Sequence, residues 1–171
     1  MSIPAIASIV DLFCTRLDTL EHLLQAGRGQ LGEQDLLGRR LADDMHPLGT
    51  QIAFTCNQPR NFSLWVLGHP VVDLDPAVGS FAQGLGHVRE TRALLARVAA
   101  GDAALPSSKR LALGPVGHLQ LGGEEYVDDF LLPNFYFHLV TVYAILRMSG
   151  ARIGKQDFMA HLLPRLQRHI A

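Results

Sequence analysis

The chain is poor in the residues that announce a reaction. It has two cysteines, Cys14 and Cys56, far apart and each inside an apolar helical pattern. That pattern reads as packed thiols in a reducing compartment; no zinc-type cysteine spacing exists and no disulfide is indicated. Charge of either sign is not in surplus. Fifteen basic residues against 16 acidic ones leave a net charge of −1, so no basic field exists to hold a nucleic-acid backbone. No HxxxH or HExxH pair occurs, and His22, His69, His87, His118, His161 and His169 are scattered as surface histidines would be. Gly79, Gly84 and Gly86 lie in a helical pattern without the strand that precedes a phosphate loop. The apolar stretch at the N-terminus has no basic flank or cleavage site and is broken by Asp11 and Arg16. Neither a signal peptide nor a membrane span is expected there, and the expected setting is cytoplasmic.

What is present is a core. Hydrophobic residues make up 48% of the 171 positions and charged residues 18%, which suits one domain over 1–171. Apolar stripes at three- and four-residue steps predict helices. The first runs from a Ser2 cap and Pro4 to about Gly27, where Gly27-Arg-Gly29 ends it. A short turn is expected over Glu33 to Leu41. A second helix starts near Asp43 or Asp44 with Pro47 in its first turn, and Pro59 kinks or interrupts it. After a loop at His69 to Pro76, a third helix spans Pro76 to Ala100. Its glycines weaken it or admit a neighbouring helix closely. Arg110–Leu113 and His118–Leu121, flanking Gly114-Pro-Val-Gly117, read as a β-hairpin packed on the bundle. A fourth helix covers Glu124 to Met148, kinked near Pro133, and a last one Lys155 to His169, broken at Pro164. Trp65 and Phe158 have no obvious seat within the chain, which predicts a homodimer.

The most informative stretch is Leu132-Pro-Asn-Phe-Tyr-Phe-His138-Leu-Val-Thr-Val-Tyr-Ala-Ile-Leu-Arg147. Phe135, His138, Val142 and Ile145 fall on one apolar face, so His138 is expected to be buried. A buried imidazole needs a partner. Three roles stay open: a core histidine bonded to a carbonyl, a Gln or a Tyr; a metal ligand; and a general base in a small pocket. If the second helix faces this one, Gln51 is the natural partner, with Met45 nearby. His46, beside Asp43 and Asp44, offers a surface metal patch or part of an ordinary acidic helix start. Glu124, Glu125, Asp128 and Asp129 read as a first-turn acidic cluster.

Two blocks carry a resemblance: Pro133-Asn-Phe-Tyr-Phe-His138, with the downstream Ile153-Gly-Lys-Gln-Asp157, and Leu41-Ala-Asp-Asp-Met-His-Pro-Leu-Gly-Thr-Gln51. Over nearly its whole length the chain resembles a bacterial domain-of-unknown-function family in the DinB/YfiT-like superfamily. The resemblance implies an all-α, up-down-down-up four-helix bundle, with the hairpin before the last long helix, and frequently a dimer. It also implies, for many members, a divalent metal held by one histidine from the second helix and two spaced four apart on the last long helix. Some such relatives are thiol-dependent transferases. Here His138 can stand for the first of that pair, but the position four on is Val142, which cannot ligate. Tyr143 is one further and points about 140° away from His138 around the helix. His46 and Gln51 are the residues available from the second helix. The expectation is a dimeric, non-metal or vestigial member with a small-molecule pocket around His138, Gln51, His46 and Tyr143. The alternative is a hydrolase or transferase using zinc, nickel or iron on His138 and His46.

Overall fold

The computed structural model describes residues 6–167. The expected cap at Ser2, Pro4 and the helix end at His169 lie outside the described residues. Helix α1 spans Ile6–Leu31 and buries Val10, Phe13, Leu17, Leu20 and Leu24 along one stripe. It does not stop at Gly27-Arg-Gly29. Gly27 is a point of close approach instead, because a Cβ there would lie 2.6 Å from Leu146. The stop comes at Gly32, whose φ of 78° suits glycine and whose N–H bonds back to the Arg28 carbonyl. Only Leu36–Gly38 of the expected turn is helical, as one 3₁₀ turn.

Helix α2 spans Leu48–Val66, starting later than the acidic pair at 43 and 44 suggested. Pro47 occupies the cap in extended conformation, and a residue ahead of proline is pushed out of the helical region. Pro59 does not interrupt α2, which continues through it, and Ser63 Oγ donates to the Pro59 carbonyl. Helix α3 spans Phe81–Ala99 and not Pro76 to Ala100. Ser80 caps it by accepting the Gln83 N–H, while Gln83 Oε1 accepts from Gly79 N–H. Gly79 is therefore outside the helix. Gly84 does admit a neighbour, since a Cβ there would lie 3.3 Å from Ile52.

The hairpin forms as expected, slightly longer, with β1 (Ser108–Ala112) antiparallel to β2 (His118–Gly122) and Arg110 opposite Gln120. The long apolar segment beyond it has three parts. A single turn α4 (Gly123–Glu125) leads into a π-helical stretch, Tyr126–Leu131, and then into α5 (Leu132–Met148). The expected kink at Pro133 thus appears as a widened turn just before it, where the missing N–H and the ring would strain an α-helix. Residues Gly123–Met148 are long and apolar enough to cross a membrane, yet one face of their α5 portion, with Phe135, Leu139, Val142 and Ile145, is buried in the bundle core. The final helix is much shorter than expected. Only Lys155–Phe158 (α6) is α-helical, and a 3₁₀ turn, Ala160–Arg165, that contains Pro164 comes after it.

Named contacts fix the topology. Phe13 meets Phe135, and Gly27 meets Leu146, so α1 and α5 run parallel. Gly49 faces Val78 and Gly84 faces Ile52, so α2 and α3 begin at the same end. Gln51 meets His138 and Trp65 meets Tyr126, so α2 and α5 are antiparallel. This is the up-down-down-up bundle. Its core holds an aromatic set, Phe13 edge to face with Phe135 and tilted against Phe62, all fully buried. Trp65 and Phe158 both find seats in the chain, against Tyr126 and Tyr143, so they supply no warrant for a dimer. Cys56 is a buried free thiol pushed up to about 12 by burial, and Cys14 is half-buried and free.

Candidate functional site

The site lies where the first turn of α2 faces the middle of α5. Gln51, 1% exposed, projects from α2, and the neutral hydrogen-bond chemistry of its amide sets everything around it. Its Nε2 donates to the His46 carbonyl at 3.2 Å, and that carbonyl can only accept. Its Oε1 is thereby turned toward His138 Nδ1, 2.8 Å away. An amide oxygen also only accepts, so Nδ1 carries the proton and Nε2 keeps a free lone pair. Gln51 is the partner that the sequence suggested.

His138 itself is half-buried, not buried as expected. The face of α5 turned to the core is Phe135, Leu139, Val142, Ile145 and Leu146, which places His138 at its edge. Two aromatic contacts hold the ring. Phe54 and Phe137 each meet it edge to face at 5.2 Å, and Phe54 meets the exposed His46 ring at the same distance. Sequence reasoning missed Phe54 and Phe137. The signal for Phe54 was its place three residues after Gln51, on the same side of α2. Tyr143 does not join the site. It packs on Phe158 and lines a separate apolar hollow with Val140 and Lys155.

The imidazole is pushed down to about 4, first by desolvation and then by the neighbouring His46. It is neutral at pH 7. Its folded value lies below the ordinary 6.5 of the unfolded chain, so between those values the unfolded chain takes up the extra proton. The stabilisation is complete above about pH 6.5 and is lost as pH falls toward 4. Discounted for the part of the ring that water still reaches, it is on the order of 2 kcal/mol. Urea midpoints measured at about pH 7.5 and pH 5 should therefore fall less in His138→Asn than in the parent protein. Equal acid losses in the two would contradict this.

The donor set does not match a three-histidine metal centre. Val142 is aliphatic and fully buried, and both polar atoms of Gln51 are engaged. Among the described residues no three His, Cys, Asp or Glu side chains converge. His138 Nε2 and the His46 ring are the donors this corner offers. The other scattered histidines are not uniformly on the surface, for His87 is buried with Nε2 unpartnered. The acidic turn is exposed and ordinary, with Glu125 accepting the Gly122 N–H.

Helix order, direction and the hairpin ahead of the last long helix define a DinB-like four-helix bundle. The fold is shared with the crystal structure of a DinB family member protein from Shewanella denitrificans, at a TM-score of 0.75 and 24% identity over 88% of each chain. Residues 7–159 match the family described as Domain of unknown function (DUF1993), and the chain belongs to it. No curated protein matches the chain.

Proposed function

We propose that this protein is a dimeric, cytoplasmic DinB-like member that binds a small molecule beside His138 without a resident metal. The observation that carries the reading is the Gln51 amide, locked between the His46 carbonyl and His138 Nδ1. It holds the imidazole in one tautomer and leaves Nε2 as a hydrogen-bond acceptor on a ring that Phe54 and Phe137 contact. A ligand suited to this corner has an apolar or aromatic body and one O–H or N–H donor. With its proton affinity so depressed, the imidazole serves to orient such a donor rather than to take its proton. Dimerisation is supported by an apolar strip on α5, where Phe137, Val140 and Met148 are each about half exposed.

Metal analysis of protein purified without an affinity tag tests the first half, with substoichiometric zinc, nickel and iron expected. Stoichiometric metal that disappears in His138→Ala would replace this reading with the hydrolase or transferase one. Light scattering at micromolar concentration tests the second half, with twice the chain mass expected and a monomer counting against it.

A further inference from the structure

A second polar hollow lies on another side of α5, between the first turns of α1 and the 3₁₀ turn Ala160–Arg165. Its volume is about 140 Å³, and its polar lining is Ser8, Asp11, Thr15, Arg16, His161 and Arg165. Arg16 is pre-set. Its Nε donates to the Tyr136 hydroxyl at 3.2 Å, and its Nη1 donates to Thr15 Oγ1 at 2.9 Å. Thr15 Oγ1 itself donates to the carbonyls of Asp11 and Leu12, so its orientation is settled too. A guanidinium has five N–H donors, and these bonds use two of them. Among the described residues neither Arg16 nor Arg165 has an ion pair, although the Asp11 carboxylate shares the hollow. The His161 ring borders the hollow, with its Nδ1 closed off from solvent. The proton affinity of His161 is lowered first by desolvation and then by Arg16, with a hydrogen bond to the Phe158 backbone opposing the shift and Arg165 adding to it.

Two positive groups therefore line a cavity of a few heavy atoms, with one carboxylate and the His161 ring beside them. We infer that this hollow is a binding site for a small oxyanion, the chemistry shared by inorganic phosphate and small carboxylates. Arg16 supplies the fixed donors and Arg165 an exposed charge beside them. Guanidinium suits this role because its planar fork matches paired oxygen acceptors. The position of Tyr136, about 200° around α5 from His138, separates this site from the Gln51–His138 corner.

Calorimetric titration of the full chain with inorganic phosphate, and separately with malonate, tests the inference, with chloride holding ionic strength constant. One saturable site in the millimolar range is expected. Arg16→Gln and Arg165→Gln should each weaken it roughly tenfold, while Arg89→Gln, an exposed change of the same charge, leaves it unaltered. Arg165 is exposed, so its variant reports on binding even where Arg16→Gln perturbs folding. Binding of phosphate alone identifies a phosphate-type ligand, and tighter binding of malonate a carboxylate. No saturable binding of either, or an equal loss in all three variants, overturns the site.

Discussion

Replacing Phe135 by alanine is expected to cost about 3–5 kcal/mol, the range for a fully buried phenylalanine. Phe135 is completely buried and meets Phe13 edge to face at 5.2 Å, and Phe13 in turn meets Phe62 at 5.7 Å. Truncation leaves a cavity where α1, α2 and α5 meet, and a close-packed core relaxes into it only in part. Against a total stability of ~5–15 kcal/mol, that cost is about a fifth of the total at the least and nearly all of it at the most. Urea denaturation followed by far-ultraviolet circular dichroism reads the loss directly. A loss below about 1 kcal/mol would mean that the aromatic cluster is not the keystone of the bundle.

Gln51→Leu should cost about 1–3 kcal/mol for a different reason. Leucine nearly fills the volume, so the loss comes from two orphaned polar groups, the His46 carbonyl and the His138 Nδ1–H. The effect extends beyond stability. Without the amide, nothing selects the Nδ1–H tautomer, and the ring is free to carry its proton on Nε2 instead. Ring ¹⁵N chemical shifts should report one protonated Nδ1 in the parent protein and a mixture in the variant. An unchanged Nδ1–H signal in Gln51→Leu would show that the aromatic neighbours, and not Gln51, hold the tautomer.

Helix type and order were legible because long amphipathic stripes depend on composition averaged over many turns. The His138–Gln51 pair was legible for a related reason: each residue is a lone polar group in an apolar pattern, and two such groups on facing helices need one another. Burial of His138 was harder. The sets Phe135, His138, Val142, Ile145 and Phe135, Leu139, Val142, Leu146 both step by three and four, and only packing decides which one faces inward. Helix starts at α2 and α3 were misplaced because an acidic pair and a proline resemble a first turn wherever they occur. Pro47 and Ser80 turned out to be the caps. Gly27 misled as a stop, since a glycine required by a neighbouring Leu146 looks the same in sequence as one required by a positive φ. The hollow at Arg16 was invisible, because α1 and residues 160–165 are far apart in the chain.

The widened turn at Tyr126–Leu131 also bears on how this chain can change length. Each N–H there reaches back five residues rather than four, so the stretch carries one residue more than an α-helix of the same span. Exposed Asp128 or Asp129 can be deleted and the surplus absorbed by rewinding, with Leu132–Met148 kept in phase. The same deletion anywhere inside α5 would rotate the downstream residues by about 100° and carry the core stripe out of register. Tyr126–Leu131 is thus the place where single-residue gaps between related chains can fall without disturbing His138.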